Sequence, residues 1–310
     1  MGKILYILPL VFICSYAGPL DLTLTKSASE RIINGQNATN LQFPYAVSIQ
    51  RISDVSNPGH GHTCGGVLIT HRHVLTAASC TYSINYANKQ VIPIIVSEFR
   101  VFAGSAFLSN DTLNDRVRNI LNYTTHPQHL IEPSHANDLA VITLISPFPE
   151  AVVTPLALPP SDYVPTDFTV CTVAGWGART NTSSMPSTQL QFINKYIYNQ
   201  NLCASVFNDL EHVERILPTM VCTTSEDIVT GGCMGDQGSA LVCGGVLTGI
   251  SFLPNDCMSE NNVRPEIYTR VSNYTKWIQS VTDSAPSVKP GFMALLILTV
   301  FHGIFQKVVS

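Results

Sequence analysis

Residues 231–243 read GGCMGDQGSALVC, a glycine-rich stretch with cysteines near its start and at its end. Glycine tolerates positive φ and lets a backbone approach a neighbour closely, so the loop is suited to presenting the side chain of Gln237. A primary amide neither ionises nor attacks a carbonyl. The loop therefore has the form of a reactive turn but carries an unreactive residue at its tip, and the rest of the chain must account for this.

The chain has 310 residues, 45% of them apolar and 12% charged, enough to bury one large core or two modest ones. Its net charge of -4 offers no basic stripe for tracking phosphates, so nucleic acid is not an expected partner. Lys3 precedes the apolar run ILYILPLVFIC (4–14), and the small residues Ser15 and Ala17 follow, which is the pattern of a secretory signal over residues 1–17. Five sequons, at Asn37, Asn110, Asn122, Asn181 and Asn273, agree with an extracellular route and a glycoprotein. With Cys14 removed with the signal, eight cysteines remain, an even number in an oxidising compartment. Spacing alone leaves on the order of 100 pairings open. No C-x2-C pair or His/Cys cluster at ligand spacing occurs, so neither a metal nor a cofactor is expected.

Short β-branched or aromatic runs recur between turn signals at 45–50, 65–70, 98–105, 139–145, 168–177, 239–252 and 266–271. This spacing predicts an all-β protein, barrel or sandwich. The Pro-rich stretch ALPPSDYVP (157–165) marks a boundary between halves within a linker near 151–165, and NYTKWIQSV (273–281) predicts a short amphipathic helix.

Specific motifs then appear in order: RIING (31–35), LTAASC (75–80), NDLAVITL (137–144), VAGWG (173–177) and GDQGSALVC (235–243). Together they resemble the chymotrypsin-like (trypsin-like) serine proteases, family S1, over about residues 32–280. The resemblance implies two six-stranded antiparallel barrels with a cleft between them and a short C-terminal helix. It also implies the disulfides Cys64–Cys80, Cys171–Cys243, Cys203–Cys222 and Cys233–Cys257.

Acyl transfer on this scaffold needs a hydroxyl nucleophile, an imidazole base and a carboxylate that orients the imidazole. The resemblance places Asp138 at the carboxylate position, Ser79 where the family has histidine, and Gln237 where it has the nucleophilic serine. His71 and His73 lie about 20 Å away along an extended chain, and Ser239 is out of phase with the nucleophile. The turn Gly235–Gln237 keeps the oxyanion frame. Gln237 is expected to occupy the space a scissile carbonyl would need, with its amide on Ser79.

Cleavage after Arg31 by a trypsin-like protease would release residues 18–31 as a propeptide and free the α-amino group of Ile32 to pair with Asp236. The same resemblance puts Gly231, Ser251, Leu253 and Glu266 around the specificity pocket, with Leu253 obstructing it. After the helix, the tail 281–310 turns apolar from 291, matching a glycosylphosphatidylinositol signal better than a spanning helix. These readings lead to one expectation: a secreted homologue, tethered to the outer cell surface if the tail is an anchor signal, that is not an enzyme and acts by binding an extracellular protein as cofactor or regulator. The alternatives are an atypical S1 endopeptidase and a structural surface glycoprotein.

Overall fold

The computed structural model describes residues 35–55, 59, 61–85, 87–108, 115–131, 135–178, 185–208, 216–225, 232–252 and 264–284. Outside them lie the expected signal, propeptide and tail, along with Arg31, Ile32, Gly231, Leu253, Cys257, Asn110 and Asn181.

After a two-residue strand β1 (Gln36–Asn37), the chain forms β2 (Ala46–Arg51), β3 (His62–Thr70) and β4 (His73–Thr76). A hairpin of β5 (Tyr82–Asn85) and β6 (Gln90–Pro93) stands apart, and β7 (Phe99–Ala103), β8 (Val117–Thr125) and β9 (Ala140–Leu144) complete a closed barrel in the order β2-β3-β4-β9-β8-β7. Its interior is built from alternate residues such as Val47 and Ile49 of β2 and Val101 and Ala103 of β7, as the two-residue period of a strand requires.

The second half holds β10 (Val170–Gly175), β11 (Gln191–Tyr198), the helix α1 (Gln200–Asn208), β12 (Met220–Thr224), β13 (Ala240–Cys243), β14 (Val246–Ser251) and β15 (Glu266–Arg270). These strands run β11-β10-β13-β14-β15-β12, and the β11–β12 pairing closes the ring into a second six-stranded barrel, with β1 added on β11. Closing both sheets removes free strand edges. The run expected at 239–252 is a hairpin rather than one strand: Gly244 and Gly245, at φ +57° and +84°, reverse the chain between β13 and β14.

Three of the implied disulfides are present, Cys64–Cys80, Cys171–Cys243 and Cys203–Cys222. Cys233 is disulfide-bonded as well, and its expected partner Cys257 lies outside the described residues. The terminal helix α2 (Thr275–Asp283) buries Ile278 and packs Trp277 and Val281 against the core, which holds the end of the chain onto the barrels. No helix among the described residues is long and apolar enough to cross a membrane.

Candidate active-site cleft

The loop 232–239 sits between the barrels because its backbone is tied to both. Gln237 C=O accepts from Gly65 N–H of β3 at 2.7 Å, and Gly238 N–H donates to Ser251 C=O of β14 at 2.7 Å. Gly238 has φ +84°, and a Cβ there would collide with Gly65 C=O and Thr76 Oγ1. Only glycine allows this approach.

Ser79 lies in a 3-10 turn, Ala78–Thr81, that follows β4 and is fastened to β3 through Cys80–Cys64. Asp138, fully buried ahead of β9, accepts both from Ser79 N–H and from Ser79 Oγ–H, each at 2.7 Å. Burial raises the Asp138 carboxyl above its usual range, opposed by the Ser79 hydrogen bonds and by His129. Gln237 Nε2 donates to Ser79 Oγ and to Phe252 C=O, both at 2.8 Å. One continuous chain therefore runs from Asp138 through Ser79 to Gln237 and on to Phe252, just after β14. Its hydroxyl donates one bond and accepts another, and both amide hydrogens are used. Among the described residues, no imidazole stands between Asp138 and residue 237.

Neighbouring groups are engaged elsewhere. Ser239 is buried, with its Oγ where a Cβ on Gly65 would fall. The His71 Nδ1 side faces Phe148 C=O at 3.2 Å, and His73 bonds Thr70 Oγ1 at 2.9 Å.

Asp236 points the opposite way from Gln237, into the protein. Its Oδ1 accepts from Gly177 N–H at 2.9 Å and its Oδ2 from Cys233 N–H at 3.0 Å. The glycines of VAGWG now have a reason: a Cβ at Gly175 or Gly177 would run into this carboxylate. Burial pushes Asp236 up to about 6, against its two backbone donors, and Glu266 adds to the rise.

Sequence reading missed His62, which is buried, bonds Ser48 Oγ through Nδ1 at 2.7 Å and meets Gly235 C=O through Nε2 at 2.9 Å. Burial lowers it to about 4. That value lies below its ordinary 6.5, so the stability His62 contributes is present above pH 6.5 and lost as pH falls toward 4. Asp236 has the opposite sense, since its contribution is present below its ordinary 3.8 and lost as pH rises through about 6. The two offset each other in part. Urea unfolding at pH 7 and pH 4 should therefore show the His62→Gln variant losing less stability on acidification than the parent chain, by on the order of 3 kcal/mol. Equal losses in the two proteins would contradict the buried neutral imidazole.

Glu266, expected near the pocket, is already partnered. Its Oε1 accepts from Gly232 N–H at 2.6 Å and lies 3.2 Å from Lys195 Nζ, and its Oε2 accepts from Tyr268 O–H at 2.7 Å. Lys195 is 1% exposed and also donates to Ser225 Oγ at 2.7 Å. Burial and the Glu266 carboxylate raise the Tyr268 hydroxyl well above its usual value. Ser251 is buried in β14. Of the sequons, Asn37, Asn122 and Asn273 are exposed.

Comparison with known proteins places this geometry. The sequence profile described as Trypsin matches residues 32–278. The chain is 29% identical to trypsin beta of Drosophila erecta over 266 residues, covering 86% of this chain and 94% of that one. It is 29% identical to a renal glandular kallikrein of Mastomys natalensis, covering 89% and 98%. Among solved structures it is similar to human heparin binding protein, with TM-score 0.63, 28% identity and 82% and 98% coverage, and to mouse neuropsin, a serine protease, with TM-score 0.64, 25% identity and 80% and 99% coverage.

These findings correct one expectation. The reading of the chain as no enzyme does not stand against relatives that are trypsins and a kallikrein, because the comparisons point to proteases and none shows a loss of activity. The fold, three disulfides and the profile match over most of the chain lead to one conclusion: the chain belongs to the Trypsin family.

Proposed function

We propose that this Trypsin-family chain acts by binding an extracellular protein partner as a cofactor or regulator. Asp138, Ser79 and Gln237 take the family's three catalytic positions in this reading. The observation that carries it is the continuous chain Asp138–Ser79–Gln237–Phe252, which commits the Ser79 hydroxyl and both Gln237 amide hydrogens to partners within the protein. A surface held in place by such a network is preorganised, which suits it to recognition. The resemblance to a protein named for binding heparin supports a binding use of the fold.

The chain travels the secretory route in this proposal, carries glycans on exposed sequons such as Asn122, and is cut after Arg31 by a trypsin-like protease. The freed Ile32 ammonium then meets the buried Asp236 carboxylate, which has two backbone donors and no cation described beside it. Such a pair repays its desolvation only in good geometry, and the two backbone donors that fix the Asp236 carboxylate support this reading. The tail beyond 291 carries the lipid-anchor signal.

A second reading, an atypical endopeptidase, is favoured by the trypsin and kallikrein relatives. The deciding experiment purifies the protein from its native secretion after crosslinking and sequences its N-terminus. A chain that starts at Ile32 and is joined to one discrete protein partner supports the proposal. A chain that starts only at Gly18, or that carries no specific crosslink, overturns it.

A further inference from the structure

Strand β11 buries Gln191, Ile193, Lys195 and Ile197 along one face. The lysine in that row meets Glu266, the first residue of β15, whose Oε1 lies 3.2 Å from Lys195 Nζ. The two side chains differ in what surrounds them. The Lys195 side chain is 1% exposed and that of Glu266 15%, so solvent reaches the carboxylate while the ammonium stays inside the protein.

Glu266 also stands at the foot of the loop that carries Gln237. Its Oε1 accepts from Gly232 N–H, and a Cβ on Gly232 would lie 3.9 Å from that oxygen and 3.8 Å from Asp236 Cβ. Tyr268 O–H holds the other oxygen, and Ser225 Oγ accepts from Lys195 Nζ at 2.7 Å. Both charged groups are therefore fixed by further hydrogen bonds.

A lone, partly buried carboxylate draws in a cationic side chain, because the cation restores charge and hydrogen bonds that burial has taken away. Glu266 already receives both from within the protein. An incoming ammonium or guanidinium would have to share the same oxygens with Lys195 and give up its own water beside a like charge. An uncharged side chain meets neither penalty.

We propose that Lys195 sets the charge preference of the cleft: by meeting Glu266 from within the protein, it makes the foot of the 232–239 loop a site for an uncharged ligand side chain and excludes ammonium and guanidinium groups. This rests on the placement of Glu266 at the specificity pocket, and it holds for a binding protein and an endopeptidase alike because it concerns capture and not turnover.

The test titrates phenylguanidinium and its uncharged counterpart phenylurea into the full secreted chain, followed by ligand-observed NMR. The parent chain should bind phenylurea the more tightly. Lys195→Met frees the carboxylate and should reverse the order, with phenylguanidinium bound at least about tenfold more tightly than phenylurea, the size of one charge-assisted contact. Adding Glu266→Gln to that variant should abolish the new preference, a readout that a merely structural role for Lys195 would not move. Should Lys195→Met fail to fold, Lys195→Gln, which keeps a donor for Ser225, takes its place. No saturable binding of phenylurea to the parent, a parent that prefers phenylguanidinium, a folded Lys195 variant without the reversal, or a preference that survives Glu266→Gln would each overturn the assignment. None of these results depends on hydrolysis or on a crosslinked partner, so a failure here is distinguishable from a failure of the proposed function.

Discussion

Placing histidine at position 79 and serine at position 237 together is expected, on the proposed reading of these as the family's base and nucleophile positions, to raise the rate of peptide hydrolysis by on the order of 10³-fold or more over the unsubstituted chain. Asp138 is already buried and already accepts two hydrogen bonds from residue 79, so an imidazole there would find its orienting carboxylate in place. The loop from Gly235 to Gly238 keeps its positive-φ glycines and its ties to β3 and β14, so a hydroxyl at 237 would be presented from a preformed turn. Triad members act as a unit, and in serine proteases losing them costs roughly 10⁴ to 10⁶ in turnover, so most of the gain should require both changes. Either single variant should show little of it. Kinetics on an amide substrate, with a burst experiment to detect an acyl-enzyme, would read this directly. A double variant that is no faster than the parent chain would show that the Ser79 turn and the Gln237 loop are not placed as described.

Lys195→Met is expected to lower stability by about 3–5 kcal/mol, because it strands the Glu266 carboxylate beside a fully buried neighbourhood without its cation. Glu266 also holds Gly232 N–H at the start of the 232–239 loop, so the cost reaches the segment that carries Gln237. The double variant Lys195→Met with Glu266→Gln should recover more than half of the loss, since no unpaired charge then remains buried. Chemical denaturation of the parent, both single variants and the double variant gives the coupling. A loss below about 1 kcal/mol for Lys195→Met would mean that the pair is solvated and weak.

The strand runs at 45–50, 65–70 and 266–271 were legible because apolar and β-branched residues alternate between turn residues. Strand β8 was not, because NILNYTT alternates weakly, with Asn119, Leu121 and Asn122 exposed and only Ile120 fully buried. Strand β11 was hidden for a different reason: its inward positions are Gln191, Ile193, Lys195 and Ile197, so polar residues occupy half of the buried face. That phase held a signal. A lysine two residues from isoleucines on both sides, in a β run, has to find a carboxylate inside the protein, and here it is Glu266. At the site, the motif order placed Asp138, Ser79, Asp236 and Gln237 near one another. It could not show that His62 would pack beneath Gly235, or that Phe252 C=O would take the second Gln237 hydrogen, because those contacts join residues far apart along the chain. Arg100 was silent too, since nothing in FRVFA distinguishes an outward arginine from one buried beside Gln50.

The position of the Gln237 side chain tests the central claim most directly. A crystal structure of the secreted protein is predicted to show Gln237 Nε2 within hydrogen-bond distance of both Ser79 Oγ and Phe252 C=O, with Ser79 Oγ on Asp138. A Gln237 amide turned out to solvent, with Ser79 facing an open cleft, would contradict the account.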